Sequence, residues 1–225
     1  MNDELLLRLR RLDACAVSDA LDRVGIADQV ASGLPRQSTD RRICGRAVTY
    51  RLVPAGQAGA PKGPIRHLGT TAVSLAQPGN VIVVEQRTGL DAGSWGGILS
   101  LAASVRGVAG VVADGPVRDI EEARTYDLPV YCRSLTARTA RGRVEEASVN
   151  EPVCIAGVTV AAGDLVIADA SGVVFVPAAR AEEVIAAAEL IASREAAMAK
   201  DLLAGLPVTE VMGKSYEHML RPDAA

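Results

Sequence analysis

PGNVIVVEQ (78–86), WGGILSLAASVRG (95–107), VAGVVADGPVRDIEE (108–122) and LPVYCRS (128–134) follow one another through the middle of the chain. Three of these segments carry short Val-rich runs with no alternation of polar residues. Such runs suit strands covered on both faces. The segment opening at Trp95 is Gly-led and small-residued, and Asp119 to Tyr126 is short and charged. Both predict helices between the strands. The resulting β-α-β-α-β order predicts an α/β fold with a parallel or mixed sheet under helices.

Working outward, residues 3–24 carry Leu5, Leu6, Leu9, Leu12, Val17, Leu21 and Val24 at helical spacing. Ser18 and Asp19 are candidate caps for a second helix ending near Gly25. Residues 26–42 and PAGQAGAPKGPIR (54–66) read as loops, the second a candidate rim. CGRAVTYRLV (44–53) alternates like a half-buried strand. Beyond residue 142, RVEEASV and PVCIAGVTVAAGDLVIADASGVVFVP predict strands joined by tight turns, in antiparallel ribbons. Residues 178–204 form an Ala-rich amphipathic helix for the sheet or a neighbouring subunit, and 207–225 a weaker helix and coil. No linker divides the chain, so residues 1–225 read as one domain, with a core over 13–180 and a C-terminal helical extension over 181–225.

The chain has 225 residues and a formal net charge of −3, with 49 % hydrophobic and 3 % aromatic residues. That balance argues against nucleic-acid binding by bulk positive charge or base stacking. No apolar run reaches the roughly 18 residues of a membrane span, and the charged N-terminus does not read as a secretory signal. The expected location is the cytoplasm. Cys15, Cys44, Cys132 and Cys154 are scattered, form no CxxC pair, and read as buried reduced thiols.

His67 and His218 are the only histidines and stand in weak contexts. There is no nucleophile elbow, P-loop or dinucleotide fingerprint. Chemistry would therefore fall to carboxylates, arginine, backbone amides and a metal ion. ADGPVRDIEE (113–122) delivers Arg118 and Asp119 at the carboxyl end of a strand, where sheets of this kind bind ligands. Arg118 can grip a carboxylate through two parallel hydrogen bonds, and Asp119 is a hard oxygen ligand. The same residues also read as a helix-capping aspartate beside a surface arginine. Gly93, Gly96 and Gly97 surround a helix start, which suits either anion approach to backbone N–H groups or close packing.

These separated motifs in this order, with VSDALDRVG (17–25), resemble the RraA-like family. It includes class II 4-hydroxy-4-methyl-2-oxoglutarate aldolases that also decarboxylate oxaloacetate, and regulators of RNase E. The resemblance implies a swivelling β/β/α core with a mixed sheet and flanking N- and C-terminal helices. It also implies homotrimers, or homohexamers built from them, with sites between subunits. Gly96, Gly97, Ile98 and Leu99 match the segment whose backbone binds the pyruvyl carboxylate. Arg118 matches the arginine that holds the keto-acid oxygens, and Asp119 the aspartate that holds Mg²⁺ or Mn²⁺, largely through its water shell. The family's catalytic members carry an acid where Gly97 stands; Asp91 and Glu85 are the substitutes nearest in sequence. The regulators lack the aspartate that Asp119 matches.

The resemblance thus implies a divalent-metal-dependent lyase that cleaves carbon–carbon bonds in 2-oxo acids and releases pyruvate, with Arg118 and Asp119 catalytic. Lys62, Lys200 and Lys214 do not stand at strand ends, which disfavours an imine-forming aldolase. Glu195, on the long C-terminal helix, reads either as a solvated residue or as one reaching a neighbour's site. The competing readings are a related metal enzyme on a different 2-oxo acid, with Gly97 opening space, and a non-catalytic binding protein like the RNase E regulators.

Overall fold

The computed structural model describes residues 3–59 and 67–213. Helices α1 (Glu4–Leu9) and α2 (Ala14–Arg23) precede strands β1 (Val30–Ala31) and β2 (Ile43–Pro54). Then come α3 (Thr70–Leu75), β3 (Val81–Glu85), α4 (Gly97–Val105), β4 (Gly110–Val117), α5 (Ile120–Thr125) and β5 (Val130–Leu135). Strands β6 (Val144–Val149), β7 (Val153–Ile155), β8 (Val158–Val160), β9 (Leu165–Ala168) and β10 (Val173–Val176) lead to α6 (Ala181–Leu203) and α7 (Val208–Val211).

The main sheet runs β1-β10-β9-β2-β3-β4-β5, with β6 also paired to β2. Strands β2 to β5 are parallel. β9, β10, β1 and β6 add antiparallel pairs, so the sheet is mixed as expected. β2 is long because it serves three partners in turn: Ile43–Arg46 face β9, Ala47–Arg51 face β3, and Tyr50–Pro54 face β6.

The Val run of β3 makes physical sense in this setting. Ile82 and Val84 point under α3, α4 and α5 with Tyr50, Trp95 and Val111. Val81 and Val83 point to the opposite face, with Val112, Phe175 and the β7–β8 hairpin residues Ile155 and Val158. Each such fully buried side chain contributes roughly 1.5–3 kcal/mol. A third cluster packs α1, α2 and the first half of α6 on β9 and β10.

Details of the expected elements shift. Asp13, not Ser18 or Asp19, caps α2: its Oδ1 accepts from the Ala16 amide at 2.8 Å. Asp169, beyond β9, takes the Ala14 amide at 2.9 Å, so the helix starts a turn earlier and contains Ser18 and Asp19. The expected loop over 26–42 contains the short strand β1, and α3 lay unannounced beside a Pro/Gly-rich stretch. The rim at 60–66, with Lys62, and the tail from 214, with Lys214 and His218, lie outside the described residues. Of the cysteines only Cys132 is buried; Cys15 is exposed, Cys44 and Cys154 are half-buried, and all four are free. Burial pushes the Cys44 thiol up to about 11 and that of Cys132 to about 12, so both stay protonated at neutral pH. No helix among the described residues is long and apolar enough to cross a membrane.

Glu195 sits on the α6 face toward α2. Partial burial, then the charges of Asp13 and Asp19, hold its carboxyl above the usual range. A raised acid pKa means that the ionised form destabilises the fold at neutral pH and that the penalty fades as pH falls through the folded-state value. Glu195→Gln is therefore expected to raise the thermal midpoint slightly at about pH 7 and not at about pH 4, near the unperturbed Glu value. Thermal melts at the two pH values check this.

Candidate active site

Two loops leave the carboxyl ends of neighbouring strands β3 and β4 and are bonded to each other. Gln86 is buried, and its Nε2 donates to the Leu90 and Ala92 carbonyls, fixing the first loop. The Ser94 amide then donates to Pro116 O at 2.8 Å, and the Arg118 amide to Trp95 O at 3.0 Å. Tyr50, fully buried beneath, donates its hydroxyl to Ser94 O at 2.6 Å. Trp95 fills the core behind the site and donates Nε1–H to Ser100 Oγ at 2.8 Å. The opening of α4 is thereby held against the Arg118–Asp119 bend.

Asp119 adopts φ 55° and ψ 40°, the left-handed region that non-glycine residues avoid. It is the N-cap residue of α5, but its side chain accepts no amide of that helix, which corrects the plain helix-capping reading. Its Oδ2 instead accepts from the Gly97 amide at 3.1 Å and from Arg118 Nε at 3.0 Å. The left-handed turn, which aspartate tolerates better than most side chains, aims the carboxylate across at α4.

Glycines make this approach possible. A Cβ on Gly93 would stand 3.0 Å from Arg118 Cγ, and one on Gly96 would stand 3.0 Å from Asp119 Oδ2. α4 has no side-chain cap, so the Ile98 and Leu99 amides keep the unsatisfied donors of a helix start. The structure therefore brings Gly96, Gly97, the Ile98 and Leu99 backbone, Arg118 and Asp119 side by side where the loops after β3 and β4 meet. The Leu99 side chain turns into the core, whereas Ile98 is 78 % exposed.

Neither substitute named for the carboxylate missing at Gly97 stands there. Asp91 pairs with Arg138 at 3.1 Å, and Glu85 accepts the Cys154 amide of β7 at 2.7 Å, on the hairpin side of the sheet. The space a Gly97 side chain would take is filled by the carboxylate of Glu122, on α5. Glu122 escaped the sequence reading. Its one available signal was the helical i,i+3 spacing from Asp119, which puts both carboxyls on one face. His67 meets the Leu68 carbonyl and hydrogen-bonds to none of these groups.

Among the described residues no group of three or more His, Cys, Asp or Glu side chains could cage a metal. Asp119 offers Oδ1, beyond the two bonds taken by its Oδ2, and its side chain is 31 % exposed. A hard cation that keeps most of its waters and takes one or two carboxylates fits this donor set, which is the habit of Mg²⁺.

The fold and the cleft define a mixed α/β domain whose loops join an Arg–Asp pair to a glycine-lined helix start. The RraA-like family description, Aldolase/RraA, matches residues 14–175. The chain belongs to the RraA-like family. It is 32 % identical over 181 residues to Protein DlpA of Legionella pneumophila, covering 80 % of this chain but only 29 % of that longer protein. It is 40 % identical over 146 residues to a Deinococcus radiodurans protein named "Putative 4-hydroxy-4-methyl-2-oxoglutarate aldolase", covering 64 % of this chain and 84 % of that one. Among solved structures, Streptomyces coelicolor RraAS2, described as an unusual member of the RNase ES inhibitor RraA protein family, superposes with a TM-score of 0.77 at 26 % identity. That match covers 87 % of this chain and 95 % of that chain.

Proposed function

We propose that the protein is a divalent-metal-dependent lyase of 2-oxo acids, cleaving 4-hydroxy-4-methyl-2-oxoglutarate-type substrates, decarboxylating oxaloacetate, or both, with pyruvate as product. The observation that carries this reading is the left-handed Asp119 turn, which sets the Arg118–Asp119 pair against a helix start with free amides. The aldolase name carried by a relative agrees with it.

The Ile98 and Leu99 amides hold the substrate carboxylate at the positive end of α4. Arg118 spends Nε on Asp119 and keeps its outer nitrogens for the keto oxygen and carboxylate. The carbon–carbon bond breaks with loss of CO2 from oxaloacetate, or with the C4 hydroxyl giving its proton to solvent water in a retro-aldol cleavage; its electrons move toward that keto oxygen, where the guanidinium stabilises the growing charge, and the enolate then takes a proton from water to give pyruvate. Asp119 orients Arg118 through Oδ2 and would hold Mg²⁺ or Mn²⁺ through its carboxylate, directly or through water. When bound, the cation would supply Lewis-acid polarisation of the keto group. The exposed stripe Ile98, Leu101 and Val105 on α4 is a face of the kind that subunit contacts cover, and the proposed assembly is a homotrimer or homohexamer.

The test is pyruvate release from oxaloacetate and from 4-hydroxy-4-methyl-2-oxoglutarate, with Mg²⁺ and with EDTA. The expected result is release above the uncatalysed rate on at least one substrate, abolished by EDTA and restored by excess Mg²⁺. Metal binding without turnover of either would point to a different 2-oxo acid. Neither metal binding nor turnover would favour the partner-binding reading.

A further inference from the structure

We propose that Glu122 is the second carboxylate of this site and holds the cation's water shell beside Asp119. The inference rests on the metal-dependent reading above and assigns it a residue that the sequence motifs do not mark.

Asp119 and Glu122 stand at the N-cap and third positions of α5, where such a pair ordinarily forms a capping box. The aspartate would accept an amide of its own helix, and the glutamate would reach back to the aspartate's amide. Neither happens. Asp119 makes no side-chain cap and turns its Oδ2 to the Gly97 amide. Glu122 lies over Gly97 so closely that a Cβ there would overlap its carboxylate. Both members of the pair are diverted from their own helix to the opening of α4.

The carboxylates of β3, β4 and the loop after β3 are already engaged. Asp91 pairs with Arg138, Asp114 is held by Arg133, and Glu85 accepts the Cys154 amide. Among the described residues, the Glu122 carboxylate forms no ion pair and accepts no hydrogen bond. An unengaged carboxylate one helical turn from Asp119 gives a water-retaining hard cation the second acidic partner it commonly takes. Gly97 matters because it leaves room for Glu122: one carboxylate position is served from α5 instead of from α4.

The test is titration of the full chain with Mn²⁺, followed by the electron paramagnetic signal of the free ion and by calorimetry. Wild type, Asp119→Ala, Glu122→Gln, Glu122→Ala and the double variant Gly97→Asp/Glu122→Ala are compared. Glu122 is exposed, so its replacement spares the core, and thermal melts confirm folding. Glu122→Gln is expected to weaken Mn²⁺ about ten-fold or more, in the range seen when groups orienting a metal's ligands are removed. The double variant is expected to recover most of the loss, since its aspartate returns a carboxylate to the vacated space. Mn²⁺ affinity within about two-fold of wild type in both Glu122 single variants, with Asp119→Ala impaired, would overturn the role of Glu122 and leave the lyase reading standing. A wild-type chain that takes up no Mn²⁺ would overturn both.

Discussion

Arg118→Ala is expected to lower kcat/KM for pyruvate release by about 10²–10³-fold, the usual cost of one preorganised donor at a developing oxyanion. Most of the loss belongs in kcat, because the bond to the keto oxygen strengthens as charge builds there. Arg118→Lys should rescue little, since a point charge cannot both bond to Asp119 Oδ2 and present two parallel donors to substrate. Asp119→Gly separates chemistry from folding more sharply. Glycine adopts the left-handed φ of 55° freely, where aspartate bears less than the roughly 1–2 kcal/mol cost of most side chains, while adding its own unfolded-state entropy. Stability should stay within about 1 kcal/mol of the parent while activity is lost. Steady-state kinetics beside denaturant melts read both quantities. A variant that unfolds, or one that keeps its activity, would break the assignment.

Trp95→Ala is expected to cost about 3–5 kcal/mol of stability, the range for emptying a buried aromatic site. Trp95 is 1 % exposed and packs among the core residues beneath α4 and α5. Its indole N–H also satisfies Ser100 Oγ in the first turn of α4. Because its carbonyl receives the Arg118 amide, the resulting cavity lies directly behind the Arg118–Asp119 bend. Urea unfolding at fixed pH checks the magnitude through a lowered midpoint. Trp95→Phe keeps most of the ring volume and should lose less.

The centre of the fold was legible because its residues had no other use. Val81–Val84 carries no polar face, and a run like that can be buried only between two layers. The Arg118–Asp119 bend was legible as a strand end, and Gly96 and Gly97 as an open helix start. What escaped depended on contacts between distant segments. Nothing local to Asp13 announces that Asp169 will share the start of α2. The six residues of α3 are too few to show a period. Nor could local spacing choose among Asp91, Glu85 and Glu122. Arg138 and the Cys154 amide claim the first two, from elements more than forty residues further along the chain for Asp91 and nearly seventy for Glu85. Sequence proximity to Gly97 favoured carboxylates that pair elsewhere, while Glu122 arrives beside Gly97 from the next helix because β3 and β4 are neighbours in the sheet.

In the proposed function, Arg118, Asp119 and the α4 amides form one site for a cation and a 2-oxo acid. The most direct measurement is a crystal structure of the full chain grown with Mn²⁺ and oxalate, a planar mimic of the pyruvate enolate. The expected result is an anomalous peak beside Asp119, with oxalate oxygens on Arg118 and on the Ile98 and Leu99 amides. Manganese and oxalate bound elsewhere, with this cleft holding only water, would contradict it.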